Sequence, residues 1–466
     1  MKFKPVFFLT LILIFVSQAA AQHAPQFPDT AAGKRAALFL QMLSSTGDDP
    51  LKDFITNSMT PNPDLTLDQR IARFRGIRSN LNGAKLQKVL TATDENAEFI
   101  IALAGGELRK VNMGFTEDAE KRIAGFGVED VEKNAGGAPA APQPLAESEL
   151  IPALEKYLEG LSKSDKFSGV VLVAKGGKPI FTKAYGFADR DKRILNKTDT
   201  KFNIGSENKI FTQLAIGILA DEGKLSLSDT IGKFLPDYPN KEAAEKVTIE
   251  QLLAMKSGIG DFFGPKFETS DKSKIRTIKD YFPFFAAVPL SFPPGTSSRY
   301  SNGGYIVLGA IIEKVSGKSY YDFVRERIFV PAGMSGTESY ESDTKVSNLA
   351  RGYTRNIDPD QLLDNSPTRP WRGSSAGGGY STADDMLKFT NALESGKLPT
   401  PKSMKDSAEP VVRMIAGGLG IAGGSPGVNA AFSTRLKGAY TVVVMSNLDP
   451  PSAEEVSKQI RMWIGK

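Results

Sequence analysis

Residues 202–209 read Phe202-Asn203-Ile204-Gly205-Ser206-Glu207-Asn208-Lys209 and run into Ile210-Phe211-Thr212-Gln213-Leu214-Ala215-Ile216-Gly217-Ile218-Leu219. The second stretch predicts a helix that is apolar on nearly every face and therefore buried. Ser206 opens it. Residues three apart share a helix face, which sets the Lys209 amine beside the Ser206 hydroxyl. Burial disfavours the charged amine and lowers its pKa, so the lysine can act as a base near neutral pH. The free N–H groups and positive dipole end of the helix favour the alkoxide and the oxyanion formed on attack. Ser342-Asp343-Thr344-Lys345 repeats the Ser-x-x-Lys spacing, but it lies in polar text with no apolar helix behind it.

Composition sharpens this reading. The chain has one histidine, His23, and no cysteine. A Ser-His-Asp triad, a cysteine nucleophile and the usual His/Cys zinc sites are thereby excluded. No metal or cofactor is expected. The 466 residues, 41% apolar and 24% charged, describe an ordinary globular chain of more than one domain. A formal charge of +5 without basic runs points away from nucleic acid and toward small-molecule or cell-wall ligands. Lys2 and Lys4 precede an apolar run from Val6 to Val16 and the small-residue text Ser17-Gln18-Ala19-Ala20-Ala21. This pattern predicts a signal peptide over 1–21, with export to the periplasm or the extracellular space. The run is too short to span a bilayer, and without a following cysteine it is not a lipoprotein signal.

Helical text at 31–43 and 65–80 precedes extended stretches at 86–93, 97–103 and 122–128, which predicts a small α+β domain over 22–131. Residues 132–148 form a Pro/Ala/Gly-rich linker. The remainder, 149–466, starts with an amphipathic helix (149–162) and a hairpin, 169–174 with 179–185, around Gly176-Gly177. It ends with strands 430–436 and 440–447 and a helix capped by Ser452 with Glu455. Strands at both ends with helical text between them imply one sheet assembled from the two termini, with a helical region inserted. The active site is expected where the two meet.

A second element, Tyr300-Ser301-Asn302, precedes a helix expected over 305–315. A tyrosine beside a serine-lysine pair can relay the proton, and Asn302 can hold the lysine and a substrate carbonyl. Tyr238-Pro239-Asn240 has the same form, but its Pro-rich loop explains it as a turn. On these two elements the chain resembles the serine β-lactamase-related family, which holds class C β-lactamases, penicillin-binding peptidases and family VIII-like esterases. The Y-x-N second motif is similar to the class C branch. Phe167 to Ala174, Ser375-Ala376-Gly377-Gly378-Gly379-Tyr380-Ser381-Thr382 and Ser446-Asn447 extend the resemblance over 149–466. It implies a β-lactamase/transpeptidase-like α+β fold. It also implies a serine hydrolase in which Ser206 is acylated, Lys209 and Tyr300 manage its proton, Asn302 supports them, and water releases the acyl group.

The third element departs from that family, which places His-x-Gly or Lys-Thr-Gly on the strand edging the site. The matching text is Gly420-Ile421-Ala422-Gly423-Gly424-Ser425-Pro426-Gly427. Ile421 stands where the cation or imidazole would be, and Asn302, Ile421, Gly423 and Gly424 are the expected substrate-binding positions. An oxyanion hole from the N–H groups of Ser206 and Gly424 survives the change. A carboxylate anchor does not, which favours neutral esters or amides. The short interval from Tyr380 to Ile421 also suggests that a strand before this run is reduced. Lys256-Ser257-Gly258 imitates Lys-Thr-Gly but reads as a helix C-cap. Arg299 and Arg413 are candidate replacement cations. Asp384-Asp385 reads as a helix first turn and not as a metal site. Two rivals stand beside the hydrolase: a catalytically impaired relative binding cell-wall fragments or a small ligand, and a chain whose N-terminal domain is the working part, identified by an apolar cavity in its sheet.

Overall fold

The computed structural model describes residues 25–465 apart from 62–65, 82, 104–105, 117, 131–143, 359–360, 405–419 and 437–438. The expected signal segment, most of the expected linker and Arg413 lie outside these residues. So does much of the interval where a strand was expected to be reduced. The chain divides into two compact units, Met1–Pro139 and Ala140–Lys466.

The first unit has helices α1 (Ala31–Leu43), α2 (Asp49–Ser58) and α3 (Leu67–Asn80), followed by strands β1 (Lys85–Ala92), β2 (Asn96–Ala102), β3 (Leu108–Phe115) and β4 (Ile123–Asp130) in a sheet of that order. The β3 strand was not anticipated, because Arg109, Lys110 and Asn112 interrupt the apolar signal. Its Val111, Met113 and Phe115 nevertheless face the core at period two. Phe39, Phe54, Phe74 and Phe126 pack with ring centroids 4.8 to 6.0 Å apart and fill the interior. Beside α1 and β1 the unit carries a groove of about 410 Å³ whose apolar lining includes Phe27, Pro28, Ala37, Leu40 and Leu86.

The second unit starts with α4 (Glu147–Lys163), two residues earlier than expected, and the hairpin β5 (Gly169–Lys175) and β6 (Lys178–Tyr185). It ends with β7 (Gly420–Ser425), β8 (Val428–Leu436), β9 (Tyr440–Ser446) and α8 (Ser452–Ile464). Three longer helices lie between: α5 (Lys209–Asp221), α6 (Asn302–Ser316) and α7 (Ala383–Glu394). The sheet order is β7-β8-β9-β5-β6, all antiparallel, with Val444 opposite Val171 and Val442 opposite Val173. The two ends of the unit thus pair directly, giving the β-lactamase/transpeptidase-like α+β fold.

The β5 text Val170-Val171-Leu172-Val173-Ala174 is continuously apolar because both faces of the sheet are covered. Val170, Leu172 and Ala174 join the core under α5 and α6, whereas Val171 and Val173 pack against Leu154 and Leu158 of α4 and Ile460 of α8. The expected Ser452 cap is not formed. Asn429 of β8 reaches across instead, and its Oδ1 accepts from the N–H groups of Ala453 (2.6 Å) and Glu454 (3.3 Å). Ser452 Oγ bonds Ser446 Oγ.

Helix α5 runs through the centre of the inserted region with every residue from Lys209 to Leu219 buried. Phe211 meets Phe329 and Phe389 edge-on at centroid distances of 5.0 and 5.2 Å. Phe211→Ala is therefore expected to lower the unfolding free energy by about 3–5 kcal/mol, measured by urea titration of the full chain.

Candidate active site

The strand pair Phe202–Asn203 with Tyr380–Ser381 delivers the chain to Gly205, which takes φ +52°. Ile204 N donates to Gly379 O at 2.9 Å and Gly378 N to Gly205 O at 3.2 Å, which presses the turn against the 377–379 glycine run. On the other side β7 approaches as closely. A Cβ on Gly423 would stand 2.2 Å from Ile204 O and 2.8 Å from Ser206 N, and one on Gly205 would stand 3.0 Å from Gly424 N. Only glycine fits these crossings. Residues Gly205–Asn208 form a 3-10 turn and α5 starts at Lys209. In a 3-10 turn residues three apart eclipse one another, so Ser206 and Lys209 are stacked more directly than an α-helix would place them.

Lys209 is 5% exposed, and its Nζ lies 3.3 Å from Ser206 Oγ. The amine also donates to Asn302 Oδ1 at 2.8 Å and to the carbonyl oxygen of Ala376. Its surroundings supply oxygen acceptors but no contacting carboxylate among the described residues. Burial pulls its pKa down to about 7, and the negative charge of Asp261 nearby opposes part of that fall. The amine is poised between base and acid at neutral pH.

Tyr300 precedes α6. Its hydroxyl donates to Ser206 Oγ at 2.6 Å, and its ring lies over Lys209 Nζ at 4.8 Å. The outer edge of the ring is open to solvent, but burial of the hydroxyl end raises its pKa, so the phenol keeps its proton at neutral pH. Asn302 starts α6, where Ser301 Oγ caps the helix by accepting from Gly304 N at 2.9 Å. Its amide is fixed from behind: Asn302 Nδ2 donates to Asp261 Oδ2 at 2.7 Å, which turns Oδ1 toward the lysine. Sequence reasoning did not single out Asp261. Ala376 was equally silent, since it contributes only a backbone oxygen.

Ser206, Tyr300, Asn302 and Gly424 line one cavity of about 540 Å³. Aromatic and apolar walls come from Phe262, Phe263, Tyr340, Trp371, Pro426 and Val428. Ile421 and Gly423 are not part of the lining. Ile421 packs against the main core and Gly423 backs onto the serine turn. On β7 the cavity is lined by Ala422, Gly424 and Ser425, so Ile421 and Gly423, where substrate contact was expected, stand outside the lining. Neither Arg299 nor Lys256 lines the cavity, whereas Arg369, which sequence reasoning passed over, does. Lys256 N donates to Gln251 O after a short helix, as a C-terminal turn should. Asp385 lies in the first turn of α7 and accepts from Gly336 N and Thr337 Oγ1. Among the described residues no group of three or more His, Cys, Asp or Glu side chains could hold a metal.

One nearby group completes the electrostatics. Glu207, between nucleophile and base in the chain, is 2% exposed, and neither carboxyl oxygen has a hydrogen-bond partner among the described residues. Burial, reinforced by Glu454, drives its pKa well up and keeps it neutral. It adds no negative charge beside Ser206.

The fold and this site together define a hydrolase-type cleft built around a Ser-Lys-Tyr centre. The family model described as beta-lactamase matches residues 154–464, well over half of the chain, and the chain belongs to that family. It is 33% identical over 276 residues to penicillin-binding protein 4* of Bacillus subtilis, a match covering 57% of this chain and 60% of that protein. It is 29% identical over 255 residues to the teichoic acid D-alanine hydrolase of Staphylococcus aureus, covering 53% and 59%. In both cases the match spans about three fifths of the relative. A crystal structure of a penicillin-binding protein from Bacillus halodurans superposes with a TM-score of 0.58 at 30% identity, covering 65% of this chain and 98% of the other.

Two outcomes follow from the charges. Asp261 raises the pKa of Lys209, so Asp261→Asn should move the acid limb of the kcat/KM–pH profile to lower pH. An unmoved limb would exclude coupling between the two groups. For Glu207 the folded state holds a proton that the unfolded chain loses above the ordinary carboxyl range, so wild-type stability falls as pH rises past that range. Glu207→Gln should therefore be the more stable protein at pH 7, with the difference closing as the pH falls to the ordinary carboxyl range. Chemical denaturation at pH 7 and in that range reads it.

Proposed function

We propose that the chain is an exported serine hydrolase acting on an ester or amide through an acyl-enzyme. The observation that carries this reading is the convergence on Ser206 Oγ of the Tyr300 hydroxyl at 2.6 Å and the Lys209 amine at 3.3 Å. The Ser206 oxygen attacks the substrate carbonyl carbon while its proton passes to neutral Lys209. The oxyanion so formed is held by the N–H groups of Ser206 and Gly424, at the start of α5. Collapse breaks the bond to the leaving alcohol or amine, which takes a proton relayed from Lys209 through Tyr300. Water then attacks the acyl-serine and gives a proton to Lys209, and collapse breaks the acyl–Oγ bond while Oγ takes that proton back, releasing the acid and restoring the free serine and the neutral amine.

In this reading residues 149–466 carry the chemistry, and 22–131 belong to a separate small domain. Export rests on the charged and apolar text of the first 21 residues. Among the described residues no helix is long and apolar enough to cross a membrane. The rival reading, a binding protein without turnover, drew its force from Ile421. That side chain packs on the core rather than in the cleft, and the contacts of Ser206 with Tyr300 and Lys209 do not involve it.

A fluorophosphonate probe followed by peptide mass spectrometry should place one adduct on Ser206, and Ser206→Ala should abolish both the adduct and ester hydrolysis. Absence of label on Ser206 under conditions that label an active relative would sink the proposal.

A further inference from the structure

We propose that Arg369 is the anion-recognising residue of this cleft, selecting substrates that carry a carboxylate on an apolar or aromatic body. The assignment rests on the hydrolase reading for the ligand's being a substrate. Arg369 supplies the only charged side chain in the cavity lining among the described residues, and no carboxylate lines the cavity with it. Its Nη1 donates to Tyr380 Oη at 2.6 Å, a neutral partner, and its buried Nε has no hydrogen-bond partner among the described residues. The neighbouring arginines are committed elsewhere. Arg372 lies over the Tyr321 ring and pairs with Glu341, and Arg276 pairs with Glu341 and Asp343.

The guanidinium is also held in place. Arg369 follows the turn Ser366–Thr368 in extended backbone (φ −115°, ψ 153°), the conformation that Pro370 imposes on the residue before it. Buried Asn365 ties that turn to the β7–β8 connection, donating through Nδ2 to Pro426 O at 2.8 Å. Arg369 and Gly424 thus line the same cavity from different segments. A planar guanidinium with unused donors in a largely apolar cavity is matched by a planar monoanion. One cation balances a carboxylate, whereas a dianionic phosphate would remain undercompensated. The aromatic wall of Phe262, Phe263 and Trp371 takes the body of the ligand. The expectation of neutral substrates, drawn from Ile421, had Arg299 and Arg413 as candidate replacement cations, and Arg369 answers it from a different segment.

The test is isothermal titration of the full chain, in the Ser206→Ala background to prevent turnover, with 3-phenylpropionate and its neutral isostere 3-phenylpropanamide. The carboxylate should bind on the order of tenfold more tightly than the amide. Arg369→Gln should remove that preference, with an unshifted thermal melting curve reporting an intact fold, and Arg369→Lys should keep part of it. Equal affinities in the Arg369 protein, a preference that survives Arg369→Gln, or no binding of the carboxylate would each overturn the assignment. Because these titrations read binding without hydrolysis, a Ser206 that resists the fluorophosphonate would remove the hydrolase reading and leave the Arg369 result standing.

Discussion

The rest of this site is organised around one constraint, an amine buried at the first turn of a helix with no carboxylate against it among the described residues. A charged Lys209 would pay a large desolvation cost, and only neutral oxygens meet it: the amide of Asn302, the carbonyl of Ala376 and the hydroxyl of Ser206. That set is polar enough to admit the proton for a time and too weak to keep it. Asp261 stands one residue further out, close enough to fix Asn302 and to bias the amine, but not in contact with it. A neutral Glu207 keeps the opposite flank free of negative charge.

Placing that amine requires three backbones to cross within van der Waals distance. The 377–379 glycines lie against one side of the Gly205 turn and Gly423 against the other. The sheet edge, the helix start and the loop before α7 are thereby locked together without side chains between them. This close approach brings the Gly424 backbone to the serine and lets a carbonyl from Ala376 reach Lys209. The sheet itself is held by pairing between the two ends of the unit, so the cleft depends on contacts among segments more than 200 residues apart in sequence.

Much of this was legible before any coordinates. Ser206, Lys209, Tyr300 and Asn302 could be found because nucleophile, base and relay require particular side chains, two of them at helical spacing. The terminal strands were legible because continuous apolar text marks a sheet covered on both faces. What could not be read had physical reasons. Ala376 acts through a backbone oxygen that every residue possesses. Asp261 and Arg369 acquire meaning only from neighbours that folding supplies. Ile421 occupies the right position in the motif, but it packs against the core and stands outside the cavity lining. Ser452 had the form of a cap, and Asn429 on another element does that work. The strand Leu108–Phe115 was hidden by its own exposed charges.

The cavity wall has an ownership pattern of its own. Phe262 and Phe263, Tyr340, the stretch from Thr368 to Trp371, and Pro426 come from four separate connecting segments, and none of them carries the serine, the amine or the phenol. Recognition and reaction are therefore written in different parts of the chain. Mutational drift can rewrite the first while the second stays fixed by its glycine crossings, so members of such a lineage could diverge widely in diet while sharing one chemical engine.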